Sequence, residues 1–177
     1  MIETARLILR APTDADREAI AAINADPRVG EWLGGMLTRT ASDVLVARIQ
    51  AGIVGHGYGF WAAERKVDGE LIGLIGLLPI LEDSDLPLAP GVEIGWRLSP
   101  AAWGQGYAAE GAAAALAWGF EHLPVDEVVS FTARINLKSQ AVMRRIGLER
   151  DETRDFDHPR LPPGSPLRPH VVFCKRR

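Results

Sequence analysis

VEIGWRLSPAAWGQGYAAEGAAAALAWGFE, residues 92–121, reads as a strand, a short loop and a long alanine-rich helix. The loop carries Gly104 and Gly106. Without side chains, the backbone there can turn sharply and approach a ligand closely. The helix that follows points its unpaired N-terminal amides, and the positive end of its dipole, at the same place. Such a helix end is suited to a phosphate or pyrophosphate. The strand in front carries Glu93, a carboxylate in an otherwise apolar run. A diphosphate cradle next to a candidate general base points to an enzyme that uses a phosphorylated cofactor.

Outward from this unit the pattern is mixed α/β without internal repeats. Residues 7–10 read as a first strand, and Thr13 or Asp14 caps a helix that runs to Ala25 and stops at Asp26-Pro27. Val44, Leu45 and Ile49 recur at helical spacing within a helix over 41–51. Four glycines between 52 and 59 predict a loop. Strands follow over 60–65 and 70–78, with Val67-Asp68-Gly69 as the turn, and the acidic, proline-bearing stretch 82–90 predicts an exposed connection. The strand over 92–98 and the helix over 107–122 lead to a β-branched strand over 128–133. A helix over 136–146 has Asn136 as its cap and Gly147 just past its end. Strands over 149–156 and 171–175 flank a segment whose five prolines forbid regular structure. Antiparallel neighbours come first, and one parallel crossover sits in the middle, so the expected sheet is mixed with helices on its faces.

The 177 residues fit a single domain over 1–177 with a sizeable core. A formal charge of −3 without a Lys/Arg-rich block argues against a nucleic-acid partner. Cys174 is the only cysteine, which leaves no internal disulfide and no cysteine-based metal site, and no metal is expected. The opening MIETARLILR has charge inside its apolar stretch and does not read as a secretory leader. No run approaches the roughly 18–20 apolar residues that span a bilayer. A cytoplasmic protein with no membrane partner is the expectation, and a two-fold dimer is an option open to any small enzyme.

Gly104-Gln105-Gly106-Tyr107-Ala108-Ala109 also fits a GxGxxA dinucleotide fingerprint, with Glu127 about 20 residues on. That fingerprint belongs directly after its strand in a repeated βαβ unit, whereas Ser99 to Trp103 intervene here. A dinucleotide oxidoreductase is therefore the lesser reading, and a plain turn is the bland one.

Strand, Trp103-Gly104-Gln105-Gly106-Tyr107-Ala108 and helix together resemble the acetyl-CoA-binding motif of the GNAT acyltransferase superfamily, written Arg/Gln-x-x-Gly-x-Gly/Ala. Gly106 and Ala108 match, and Trp103 stands where Arg or Gln is usual. That Trp variant is common in the branch resembling ribosomal-protein N-terminal acetyltransferases. Two other stretches are similar to the same branch. One is Thr4 to Arg10 with Asp14-Ala15-Asp16 and Asn24 to Pro27, and the other is Asn136-Leu137-Lys138-Ser139 continuing from Met143 to Leu148. The resemblance implies a mostly antiparallel sheet of about seven strands, with a splayed central pair that binds acetyl-CoA, and transfer of its acetyl group to a primary amine on a protein N-terminus or a small molecule. A catalytically silent acyl-CoA-binding module is the alternative.

By the same resemblance, the backbone of Ile94, Gly95, Trp96, Arg97 and Leu98 would line the pantetheine arm, and the loop Trp103, Gly104, Gln105, Gly106, Tyr107 and Ala108 would hold the pyrophosphate. An N–H near Ile94–Gly95 would stabilise the tetrahedral oxyanion. Glu93 is the candidate to take the amine's proton, unless it pairs with Arg97, four residues on and on the same strand face. Ser139 is the candidate to protonate the departing thiolate. It shares a helix face with Val142, Met143 and Ile146, whereas Lys138, Gln140, Arg144 and Arg145 fall on the other. A purely local role at the helix start is the other reading for Ser139. Asn136 caps the helix and could touch the cofactor as well. Trp32, Phe60 and Trp61 are candidates to line the acceptor pocket, with Glu31, Glu64, Asp155 and Asp157 to attract an amine. The segments 30–36 and 155–169 are expected at its border.

Overall fold

In the computed structural model, which describes residues 1–177, the strand–loop–helix unit sits at the centre of a nine-stranded sheet. In chain order the elements are β1 (Ile2–Glu3), β2 (Leu7–Arg10), α1 (Arg17–Ala25), α2 (Pro27–Gly30), α3 (Arg39–His56), β3 (Phe60–Arg65), β4 (Leu71–Ile80) and β5 (Gly91–Leu98). Then come α4 (Tyr107–His122), β6 (Glu127–Ala133), α5 (Leu137–Arg145), β7 (Glu149–Arg150), β8 (Phe156–Asp157) and β9 (Pro169–Arg176). The strand order is β1-β2-β3-β4-β5-β6-β9-β7, with β8 also on β9. Against the expected count of about seven strands, β1 is a two-residue addition, and the strand expected over 149–156 is present only as the two-residue pieces β7 and β8.

Only β5 and β6 pair in parallel, as the return through α4 requires. They share one register pair, Glu93 with Val129, while β4 and β5 pair over eight positions. The β5–β6 seam therefore opens past Glu93, which is the splayed pair that the family resemblance implies.

Strand alternation divides the side chains between two faces. Ile75, Leu77, Ile94 and Leu98 form one core with Ala112, Ala115 and Leu116 of α4, Met143 of α5 and Ile146 just past its end. On the other face Leu74 packs with Ile20 of α1 and with Val46 and Ile49 of α3. Small residues let α4 lie close. A methyl group on Gly111 would come within 2.5 Å of Ile75, and one on Gly119 within 2.7 Å of Leu77.

Three local expectations need correction. Helix α3 continues through Gly52 and Gly55 to His56 and ends at Gly57, whose φ of +79° supplies the left-handed cap. Each internal glycine costs about 1 kcal/mol relative to alanine, and the packing of Val46 and Ile49 offsets it. The stretch 82–90 is not simply exposed, because Leu88 is buried with Ile80, Val129, Val172 and Cys174. The strand expected over 149–156 is broken, because Asp151 turns its carboxylate onto Thr153 and starts a short 3-10 turn. Cys174 is a buried core residue.

Between β2 and α1, Asp16 accepts from both Arg10 guanidinium nitrogens, at 2.7 and 2.8 Å, and from the Thr13 amide and hydroxyl. Arg10 also holds Glu64 of β3 at 2.8 Å. These bonds, with the Arg10 side chain first among them, pull the Asp16 carboxyl down to about 2 from 3.8. Its lowered pKa stabilises the fold above the unfolded value and loses that contribution as pH falls from 3.8 toward 2. Asp16→Asn should cost about 3 kcal/mol at pH 7. Urea unfolding should show this difference shrinking below pH 4; a constant difference would contradict the linkage.

Candidate active site

The loop before α4 is held by glycines in conformations that other residues avoid. Gly104 has φ +74° and Gly106, the N-cap of α4, has φ +83°. None of the amides from Gly104 to Ala109 donates to another backbone group, and no side chain caps the helix. A row of free donors at the positive end of a helix dipole is suited to an anion such as a diphosphate. Trp103 fixes the loop to the strand, its indole donating to the Leu98 carbonyl at 2.9 Å. The Lys138 ammonium of α5 lies 5.2 Å from the same ring, so the loop and the start of α5 flank one groove.

The opened seam forms the floor of that groove. Ser99 donates to Ile72 across β4 and β5, and from there alternation turns Arg97, Gly95 and Glu93 toward β4. The main-chain groups of Ile94, Trp96 and Leu98 face the seam instead. The Gly95 amide is therefore not available as an oxyanion donor, and the donors past the last β5–β6 pair on that edge belong to Trp96 and Leu98. At the apex, the buried Ser130 hydroxyl donates to the Ile94 carbonyl at 2.8 Å.

Glu93 lies at the apex, on the face away from α4. It is half-buried and forms no hydrogen bond or ion pair, and burial pushes its carboxyl up to about 8 from 4.5. The pairing with Arg97 that a shared strand face suggests is absent, as the roughly 13–14 Å between i and i+4 on a strand dictates. Arg97 instead donates to the Asn24 side-chain oxygen at 2.6 Å, and Asn24 donates to Ser42 at 2.8 Å.

In α5, Asn136 caps the helix by accepting from the Ser139 amide at 3.1 Å. Met143 and Ile146 are buried and Ser139 is half-buried on the same face, as expected. Gln140 departs from expectation. It is buried and donates to the Arg134 carbonyl at 2.8 Å, closing the turn that precedes the helix.

The segments 30–36 and 155–169 meet. A methyl group on Gly34 would come within 3.2 Å of Leu161, and the two segments border a cleft of about 410 Å³. That volume lies in the range of small-molecule sites. Glu31 lines it, and half-buried Trp32 is its neighbour in the chain. Phe60 lies over Gly95, within 3.0 Å of where a methyl group would stand. Trp61 does not line a pocket; it is in the core, edge-on to Trp118 with ring centroids 5.2 Å apart. The other acids suggested for amine attraction are neutralised: Glu64 by Arg10, Asp155 by Arg150 and Asp157 by Arg168.

Sequence reasoning missed Arg6. Its guanidinium binds Glu110 of α4 at 2.6 Å and the Gln105 carbonyl at 3.0 Å, and lies 4.4 Å from the Tyr107 ring centroid, bracing the loop from behind. Its place at the head of β2 was the only available signal.

Residues 6–149 match the family model described as an acetyltransferase (GNAT) domain. The chain belongs to the GNAT acetyltransferase family. It is 32% identical over 170 residues, 92% of this chain and 71% of the relative, to an FsC-acetyl coenzyme A-N(2)-transacetylase of Aspergillus fumigatus. The crystal structure of an acetyltransferase from Agrobacterium tumefaciens is similar at TM-score 0.77 and 32% identity, covering 99% of this chain and 94% of that one. RimL, a ribosomal L7/L12 alpha-N-protein acetyltransferase in complex with coenzyme A, shares the fold at TM-score 0.75 and 16% identity, covering 98% and 95%.

As a GNAT enzyme, the protein is an acetyl-CoA-dependent N-acetyltransferase. The dinucleotide reading is overturned by the family match and by a sheet with a single parallel pair. The residues present fit acetyl-CoA, because free amides and side-chain-free glycines stand where its diphosphate would need them. No helix is long and apolar enough to cross a membrane.

The state of Glu93 has a measurable consequence. Its folded pKa lies above the unfolded one, so stability is full below pH 4.5 and falls as pH rises through about 8. Glu93→Gln should remove that decline in the unfolding free energy between these values. An unchanged pH dependence would show that Glu93 ionises normally in the fold.

Proposed function

We propose that this GNAT enzyme acetylates a primary amine of a small molecule by direct attack, with Glu93 as general base and the groove between α4 and α5 holding acetyl-CoA. The observation that carries the reading is Glu93 itself, a carboxyl without a protein partner, held up to about 8 at the apex of the strand opening.

Acetyl-CoA supplies an activated acyl thioester. The chain supplies the rest. Amides from Gly104 to Ala108 bind the diphosphate, with Trp103 and Gln105 as parts of the same turn. The seam-facing groups of Ile94, Trp96 and Leu98 align the arm, and Gly95 and Arg97 hold β5 to β4. The Trp96 amide is the donor turned toward developing negative charge on the carbonyl. Glu93 takes a proton from the amine, directly or through a water. Its raised pKa helps, because a base near 8 comes closer to an alkylammonium than an ordinary carboxylate does. The Ser139 hydroxyl, at the start of α5 beside Asn136 and without a hydrogen bond to the protein, is the group assigned to protonate or bond the departing thiolate.

A small molecule is favoured over a protein N-terminus by the cleft between residues 30–36 and 155–169, with Glu31, Trp32 and Phe60 on the acceptor side. The relative named for N(2) acetylation agrees with an amine acceptor. The ribosomal-protein branch rests on the motif around Trp103 and on the two other stretches similar to that branch, and a peptide acceptor is the reading they support.

Two substitutions test the parts separately. Glu93→Gln should lower kcat/KM about 100-fold or more and abolish a rise in rate that levels off near pH 8. An unaltered pH–rate profile would remove Glu93 from the base role. Gly106→Val puts a β-branched residue at φ +83° and should abolish the rise in melting midpoint that acetyl-CoA gives the unmodified protein. A normal rise in the variant would mean that the loop does not hold the diphosphate.

A further inference from the structure

On β5, Arg97 is the one charged side chain of the Glu93 face that the mechanism above leaves unused. Every other arginine below the surface (Arg10, Arg17, Arg65, Arg150, Arg154 and Arg168) lies within 4.0 Å of a carboxylate. Arg97 has none. Its only hydrogen bond is to the neutral Asn24 side chain, and its Nε is buried without a partner. Burial also pulls its pKa down to about 10 from 12.5, the mark of a cation that the fold does not compensate. Removing a charge from water without a counter-ion is costly, and a fold retains it where something else repays that cost.

The placement narrows what that is. Glu93, Gly95 and Arg97 follow one another on one face of β5, with about 7 Å between successive positions. The middle one carries no side chain and has the Phe60 ring edge over it. The cosubstrate's diphosphate is not the missing anion. Helix α4 and its free amides lie across the opposite face, packed through Ile94 and Leu98. Asn24, which holds Arg97, ends α1, and its carbonyl accepts from Leu37 just after the segment 30–36. Arg97 is thereby tied to the base of the acceptor-side wall.

We propose that the Arg97 guanidinium receives a carboxylate carried by the amine acceptor, so that the substrate class is a small amino acid whose amine reaches Glu93 while its acid group reaches Arg97. The inference rests on the N-acetyltransferase reading above and adds the chemistry of the acceptor. Asn24 and Ser42 act as positioning residues that hold the guanidinium in place.

The test is thiol release from acetyl-CoA by the full-length protein with matched pairs of amines. The pairs are the twenty α-amino acids, β-alanine and 4-aminobutyrate, each as free acid and as carboxamide, with spermidine as an acid-free control. The expected result is at least one pair in which the acid exceeds its amide about tenfold or more in kcat/KM. Arg97→Gln should erase that preference by raising KM for the acid, and Arg97→Lys should keep part of it. In both variants the acetyl-CoA-induced rise in melting midpoint should stay unchanged. Activity with spermidine or with the amides, and no acid preferred, would overturn the assignment and leave the N-acetyltransferase reading standing. A lost acetyl-CoA shift in Arg97→Gln would assign the residue to the cosubstrate and equally overturn it. No thiol release with any amine would overturn both. The acid–amide comparison in the unmodified protein decides the matter even if the variants fail to fold.

Discussion

The site depends on a single failure of strand pairing. β5 and β6 must run parallel because α4 carries the chain back across the sheet. After one register pair at Glu93 and Val129 they part. An unpaired strand edge inside a sheet leaves backbone donors and acceptors in need of partners. Here two are met locally, Ile94 by the Ser130 hydroxyl and Leu98 by the Trp103 indole. Those two bonds bracket the opening. What remains between them is a short row of main-chain groups, faced by the free amides of the loop. An extended amide-bearing arm ending in a diphosphate is the chemical complement of that surface, and acetyl-CoA has that form.

Charge is distributed in agreement with this layout. Away from the seam, ionisable groups are tied to one another, as in the cluster of Arg10, Asp16 and Glu64 and the clasp of Arg6 on Glu110. On the face of β5 away from α4, Glu93 and Arg97 lie on one strand and yet do not meet. The former shifts toward its neutral form and the latter bonds only an amide. The fold satisfies its other buried arginines and leaves these two groups without charged partners, which is the basis of the roles proposed for them. Sharing a strand face suggests a pair, but i and i+4 on a strand stand about 13–14 Å apart, and Asn24 of α1 takes the guanidinium.

Much of this is legible in the amino-acid sequence. The strand over 60–65, the helix over 107–122 and the single crossover follow from local pattern, and the cap at Asn136 follows from residue chemistry. The resemblance carried by residues 103–108 points to the cosubstrate. What is not legible is long-range. Gly52 and Gly55 read as a loop because propensity is local, whereas packing of α3 against β4 overrides it. Trp61 reads as a pocket residue because composition cannot say on which face of β3 a ring falls relative to Trp118. Gln140 reads as solvent-facing because a helical wheel does not show the neighbouring Arg134 carbonyl. Arg6 carries no signal beyond its place ahead of β2, since its partner Glu110 lies more than a hundred residues away.

The adjacent strand holds the acceptor face in register through glycine. A methyl group on Gly73 would stand 2.2 Å from the Arg97 carbonyl, and one on Gly76 2.1 Å from the Gly59 carbonyl. Backbone cannot yield to such contacts as a flexible side chain can, so β3, β4 and β5 come this close only because β4 lacks side chains at these points. Gly73 also has φ +148°, which suits the irregular pairing nearby, where the β3–β4 register shifts at Ala63 and Glu64. The spacing of Glu93, Phe60 and Arg97 is thus set from behind, by positions that touch no ligand. Substitution at Gly73 would displace the Arg97 backbone before it disturbed any contact with substrate, which makes the glycines of β4 as much a part of the site's geometry as the side chains in it.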